Sequence, residues 1–144
     1  MLARHAHVFA GVAAFDNHES GTAKKARQGI PRPPSELAGE VRESWWDANF
    51  RTPEDDAMGF GQGAVIGRFM LTQDMENLVR RLPRAVKTSV NAQATGMRPG
   101  VRNGRKGMIV EGIAHDPENT SVDLVTKAGA GGQVASLYRE MVAA

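Results

Sequence analysis

Apolar residues recur at Leu37, Val41 and Trp45, with Ala38 and Ala48 beside them. Spacing of i, i+4 and i+8 marks one stripe of a helix. Pro34, Ser35 and Glu36 supply a start for it, with a carboxylate in the first turn where the helix dipole favours it. The pattern predicts an acidic helix from Ser35 to about Phe50. Trp46 and Phe50 fall one residue around and form a second aromatic ridge, a candidate interface anchor.

Helical spacing returns behind Thr72, which reads as an N-cap with Asp74 and Glu76 in the first turn. Met75, Leu78, Val79, Leu82, Val86 and Val90 keep it up for some twenty residues. Pro83 lies inside and must kink or split the helix, because it lacks an N–H and its ring crowds the preceding turn. On the other face Arg80, Arg84, Lys87 and Asn91 recur at i, i+4, i+7 and i+11, so the expectation is a Pro-kinked basic helix.

Residues 108–114 and 121–126 flank the turn-rich stretch 115–120 and predict a β-hairpin. Val122 and Leu124 share one face of its second strand; Asp123 and Val125 take the other. Gln133 to Val142, after the glycine break at 129–132, predicts a short C-terminal helix. Residues 1–15 fit either a strand or a short helix. The rest reads as irregular: 16–34 an extended arm, 51–64 an acidic and then glycine-rich loop, 96–107 a basic loop. The fold class expected is α+β, one small domain over residues 1–144 with long arms.

Composition makes that core thin. Of 144 residues 41% are hydrophobic, but 20 of these are alanine, and Leu, Ile, Val and Phe together number 29. That is about the 20% level at which chains struggle to organise their loops. Cysteine is absent, which removes disulfides, thiolate nucleophiles and Cys-based zinc sites. No apolar run approaches the roughly 20 residues of a membrane helix, and the N-terminal stretch, with one basic residue at Arg4, reads as part of the folded protein rather than as a targeting segment.

Charge changes the picture more. Net charge is only +2, yet residues 36–76 carry nine acids against three bases, and residues 77–110 carry eight bases and no acid. The basic residues Arg80, Arg84, Lys87, Arg98, Arg102, Arg105 and Lys106 are therefore the candidate contacts to a partner or to phosphate. Binding to nucleic acid through them would engage the backbone, since no aromatic residue lies between Phe69 and Tyr138 to stack on a base.

Motifs for chemistry are weak. Gly59-Phe-Gly61-Gln-Gly63-Ala64 fits a relaxed dinucleotide pattern, but acids and not a strand precede it. Gly129 to Gly132 lacks the Lys and Ser/Thr of a phosphate loop. His5, His7, Asp16, His18 and Glu19 could supply metal ligands, although H-x-H alone is common and no metal is expected. His115 beside Asp116 reads as a capped turn, with no serine elbow beside it. The expectation is a non-enzymatic structural component, without cofactor, that packs by its arms and charged faces onto protein subunits of a larger assembly. A virion-like or other multisubunit particle, or a homo-oligomer, fits that description. A nucleic-acid-binding protein acting through residues 77–110 is the alternative.

Overall fold

A computed structural model describes residues 1–51, 62–102 and 104–126. The chain opens with a short helix α1 (Leu2–His5) that runs into a 3₁₀ turn (Ala6–Phe9), followed by β1 (Ala13–Phe15). Then come α2 (Gly21–Arg27), β2 (Leu37–Asp47), β3 (Ala64–Leu71), α3 (Gln73–Arg81), β4 (Lys87–Asn91), β5 (Ala94–Arg102), β6 (Arg105–Ile113) and β7 (Ser121–Val125). The fold is thus mixed α and β, as expected. Five strands make one sheet in the order β3-β2-β1-β7-β4, and β5 and β6 make a separate two-stranded sheet. All pairs are antiparallel except β1 with β7.

Several expected elements are corrected. The acidic helix over 35–50 is strand β2. Spacings of four and eight are even and so suit an unbroken strand as well as a helix, but register shifts on either side of Val41 place it on the face opposite Leu37 and Trp45. What decides is β2 pairing with β3 along its length, from Gly39↔Leu71 to Asp47↔Ala64. A Cβ at Gly39 would collide with the Met70 carbonyl, so the close approach of these strands requires glycine there. Of the predicted stripe only Val41 is fully buried; Leu37 and Trp45 stay exposed.

The Pro-kinked helix is a helix, a turn and a strand. Thr72 caps α3 as expected, its hydroxyl accepting from the Met75 N–H at 3.4 Å. α3 ends at Arg81, before Leu82 and Pro83, and the β-branched run Val86 to Val90 enters β4. The basic stripe dissolves with it: Arg80 lies on α3, Arg84 in the turn, Lys87 and Asn91 on β4.

Residues 108–114 and 121–126 do hold strands, but they do not pair with each other. β6 pairs with β5, and Asn103-Gly104 falls between the opposed residues Arg102 and Arg105. The basic loop over 96–107 is accordingly most of a hairpin. The arm over 16–34 is also partly folded, with α2 capped by Ser20, whose hydroxyl accepts from Ala23 N–H at 3.1 Å. Residues 1–15 combine both options, a helical start and a strand. The expected helix 133–142, the glycines 129–132 and most of the loop 51–64 lie outside the described residues.

The core sits on one face of the larger sheet. Val8, Phe9, Val12, Val41 and Val122 form one cluster, and Ala38, Met75, Val79, Val86 and Leu124 a second, with Phe69 packed against both. Val122 and Leu124 point into this core, as read from their alternation. Asp123 therefore points to the opposite face.

Candidate active site

Asp123 is the anomaly of β7. All five residues of the strand are buried, and Asp123 is 0% exposed. A carboxylate taken out of water needs partners, since an uncompensated charge in the interior is strongly unfavourable. It has them on the face away from the core.

Antiparallel register sets Ser89 of β4 directly opposite Asp123 of β7. Opposed residues share a face and lie side by side, so a hydroxyl and a carboxylate are presented together. Beyond the end of β1 the chain turns through Asn17, whose φ of 72° is in the left-handed region that asparagine tolerates. The Asn17 side-chain oxygen accepts from His18 N–H at 2.9 Å. The Asn17 N–H in turn donates to the Leu124 carbonyl at 2.8 Å. This turn lays the His18 ring between the two strands' side chains.

The result is a linear chain of contacts. His18 Nδ1 is 2.6 Å from Asp123 Oδ2, and His18 Nε2 is 2.7 Å from Ser89 Oγ. A carboxylate only accepts, so Nδ1 carries the ring proton and donates it to Asp123. In the neutral ring Nε2 is then left with a lone pair, and Ser89 Oγ–H donates to it. His18 is the most exposed of the three, its side chain 40% accessible, while Ser89 is half-buried and the Asp123 side chain is 0% exposed. A hydroxyl, a base and a buried orienting carboxylate in hydrogen-bond series is the arrangement that activates a serine.

Folded residues of the expected arm enclose this group. Arg32 extends over the Phe15 ring with its guanidinium carbon 4.2 Å from the centroid. Its Nε–H donates to Glu36 at 2.9 Å, its Nη2–H donates to the Asn17 carbonyl at 3.2 Å, and its Nη1 is 3.8 Å from Asp123 Oδ2. Beside it Arg27 grips Glu19 through two bonds, Nε–H at 2.6 Å and Nη2–H at 2.8 Å. That fork holds the Glu19 carboxyl below its usual range, burial working against it, and raises Arg27.

The residues singled out from sequence lie elsewhere, with one exception. Lys87 is on β4, two residues from Ser89 and on the same face, half-buried. Arg80 pairs with Glu76 at 3.0 Å, and Arg98 with Glu111 at 3.1 Å, while Arg84 and Lys106 are exposed. Arg102 and Arg105 oppose each other at the tip of the β5–β6 hairpin, their side chains outside the described part. Trp46 and Phe50 are half-buried at the far end of β2; the Trp46 ring occupies the space a Cβ on Gly63 would fill, and the Phe50 carbonyl accepts from Gly63 N–H at 2.9 Å. His7 meets His115 edge to face at 6.2 Å, apart from His18. Among the described residues no group of three or more His, Asp or Glu could hold a metal ion, and no helix is long and apolar enough to cross a membrane.

Sequence reasoning missed Ser89 and Asp123 and placed His18 with metal ligands. Ser89 and Asp123 lie 71 and 105 residues from His18 along the chain, so no local motif joins them. One signal was present: a carboxylate in the apolar run Ser121-Val-Asp-Leu-Val125 asks for a buried partner. No family model, curated protein or solved structure matches the chain.

Proposed function

We propose that the protein is a serine hydrolase that works by acyl transfer, with Ser89 as nucleophile, His18 as general base and acid, and Asp123 as the group that orients and stabilises the imidazole. The series Ser89–His18–Asp123, with contacts of 2.7 and 2.6 Å, carries this reading. Ser89 Oγ attacks a substrate carbonyl carbon while its proton passes to His18 Nε2. The carbonyl π bond opens to an oxyanion, which re-forms as the leaving group departs with the proton from His18. Water, deprotonated by the same nitrogen, then cleaves the acyl–Ser89 ester and restores the hydroxyl. The role departs from the non-enzymatic one expected from sequence.

The position of Ser89 favours an extended polypeptide as substrate. β4 is the last strand of the sheet among the described residues, so its outer edge is open to strand addition. A peptide paired there would run roughly 4.8 Å from the β4 backbone and pass beside Ser89. The test is hydrolysis of an activated ester and of an unfolded protein by the full chain. Wild type is expected to cleave both, and Ser89→Ala and His18→Ala to lose on the order of 10⁴-fold or more. Equal rates in wild type and Ser89→Ala would refute the proposal.

A second reading, association with another protein chain, rests on the β5–β6 hairpin. Met97, Val101 and Met108 are exposed on one face of it, together with Lys106, and Arg98 is on the other. An acidic protein surface suits such a basic and apolar arm. Charge reversal at Arg98 and Lys106 should then abolish co-migration with an assembly partner; loss of nucleic-acid retention instead would favour the backbone-binding alternative.

A further inference from the structure

Arg32 spends the binding capacity of its guanidinium in an unusual way. Its side chain is 7% exposed, and everything it touches belongs to the proposed triad's surroundings. The Asn17 carbonyl it bonds sits in the turn that delivers His18, and Asp123 lies 3.8 Å from Nη1. Glu36 and Glu19 hold the guanidinium from the outer side at 2.9 and 3.9 Å, and Phe15 stacks beneath it. Nη1 itself and Asp123 Oδ1 are buried without a hydrogen-bond partner, so the pair interacts through charge and not through a shared proton. A cation placed this way stabilises the Asp123 anion by charge alone, its nearest approach being to Oδ2, the oxygen that also accepts from His18.

We propose that Arg32 is a positioning residue for this triad, fixing the Asp123 carboxylate and the His18 turn at once; the proposal rests on the hydrolase reading above. One hydrogen bond to the Asn17 carbonyl and one charge contact to Asp123, made from a single planar group, hold the His18 turn and the carboxylate in line. A lysine would retain the charge but could not donate in a fork to Glu36 and Asn17 while lying flat on Phe15. Arg32 touches no reacting atom, so its loss should lower the chemical step and leave reagent binding alone.

The experiment measures covalent modification of the full-length chain by a fluorophosphonate, resolved into a binding constant and a maximal inactivation rate, alongside the proton resonance of His18 Nδ1. Arg32→Gln is expected to keep the binding constant, to slow the maximal rate about 10- to 100-fold, and to broaden or shift the Nδ1 proton signal. Arg32→Lys should fall between it and wild type, and it carries the test should Arg32→Gln fail to fold. Wild-type rate and wild-type Nδ1 signal in either folded variant would overturn the proposal. If wild type itself is not modified, the hydrolase reading fails, and the Nδ1 signal alone still decides whether Arg32 orders His18.

Discussion

At the scale of single residues, Asp123 dictates the most. A buried carboxylate at the centre of an apolar strand costs stability unless nearby groups compensate it, and here His18 and Arg32 do so. An amide at that position would offer His18 a donor as well as an acceptor and would favour the wrong tautomer. Asp123→Asn is accordingly expected to lower hydrolysis on the order of 10⁴-fold, measured as initial rates on an activated ester. Glu19 gives a pH prediction. Its carboxyl titrates lower in the folded protein than in the unfolded chain because Arg27 bonds its charged form. The unfolded state therefore binds more protons across that range, and stability rises with pH there. The contribution is present above the ordinary glutamate range and lost as pH falls through the lowered value. Urea unfolding of Glu19→Gln should show a flatter acid limb than wild type; parallel limbs would remove Glu19 from the account.

At the scale of elements, periodicity was legible where only one period fits and misleading where two do. α3 was readable because Thr72 caps it and Met75 and Val79 fall on its buried side. Thr72→Ala should cost about 1 kcal/mol in urea unfolding. β2 was not, because even spacings satisfy helix and strand alike; the tie-breakers were Gly39 within the run and the β-forming residues Val41, Trp45 and Trp46. Gly39→Ala should destabilise by about 1–3 kcal/mol, since backbone and not a movable side chain stands in the way. The dipeptide Asn103-Gly104 is a strong turn signal in sequence, hidden by the polar, glycine-rich flanks that made 96–107 read as a loop. Val122 and Leu124 share one face, as their alternation predicts, and that face meets the core, which leaves Asp123 on the other. Nothing in it identifies Ser89 as the opposite residue. Strand pairing creates the site, and register is a tertiary property.

At the scale of the whole molecule, the ion pairs among the described residues are made one by one between near neighbours. Acids pair with bases close by: Glu40 with Arg42, Glu43 with Arg68, Glu76 with Arg80, Glu111 with Arg98. Such exposed pairs contribute about 0–1 kcal/mol each and are screened by salt, so molar sodium chloride should barely move the thermal midpoint. A steep loss of stability with salt would mean that long-range charge pairing holds the fold. The thin core is offset by building one face of the sheet around apolar clusters and using the other for the polar network of Asp123, Arg32, Arg27 and Glu19. That second face is ordered by the same segment, 16–36, that delivers His18 to the strands.

Mass spectrometry after exposure to a fluorophosphonate tests the central claim most directly. Ser89 Oγ should displace fluoride from phosphorus, giving one adduct per chain, mapped to the peptide that contains Ser89 and absent when His18 is replaced by alanine. An unmodified Ser89, or modification at the same rate without His18, would contradict the account.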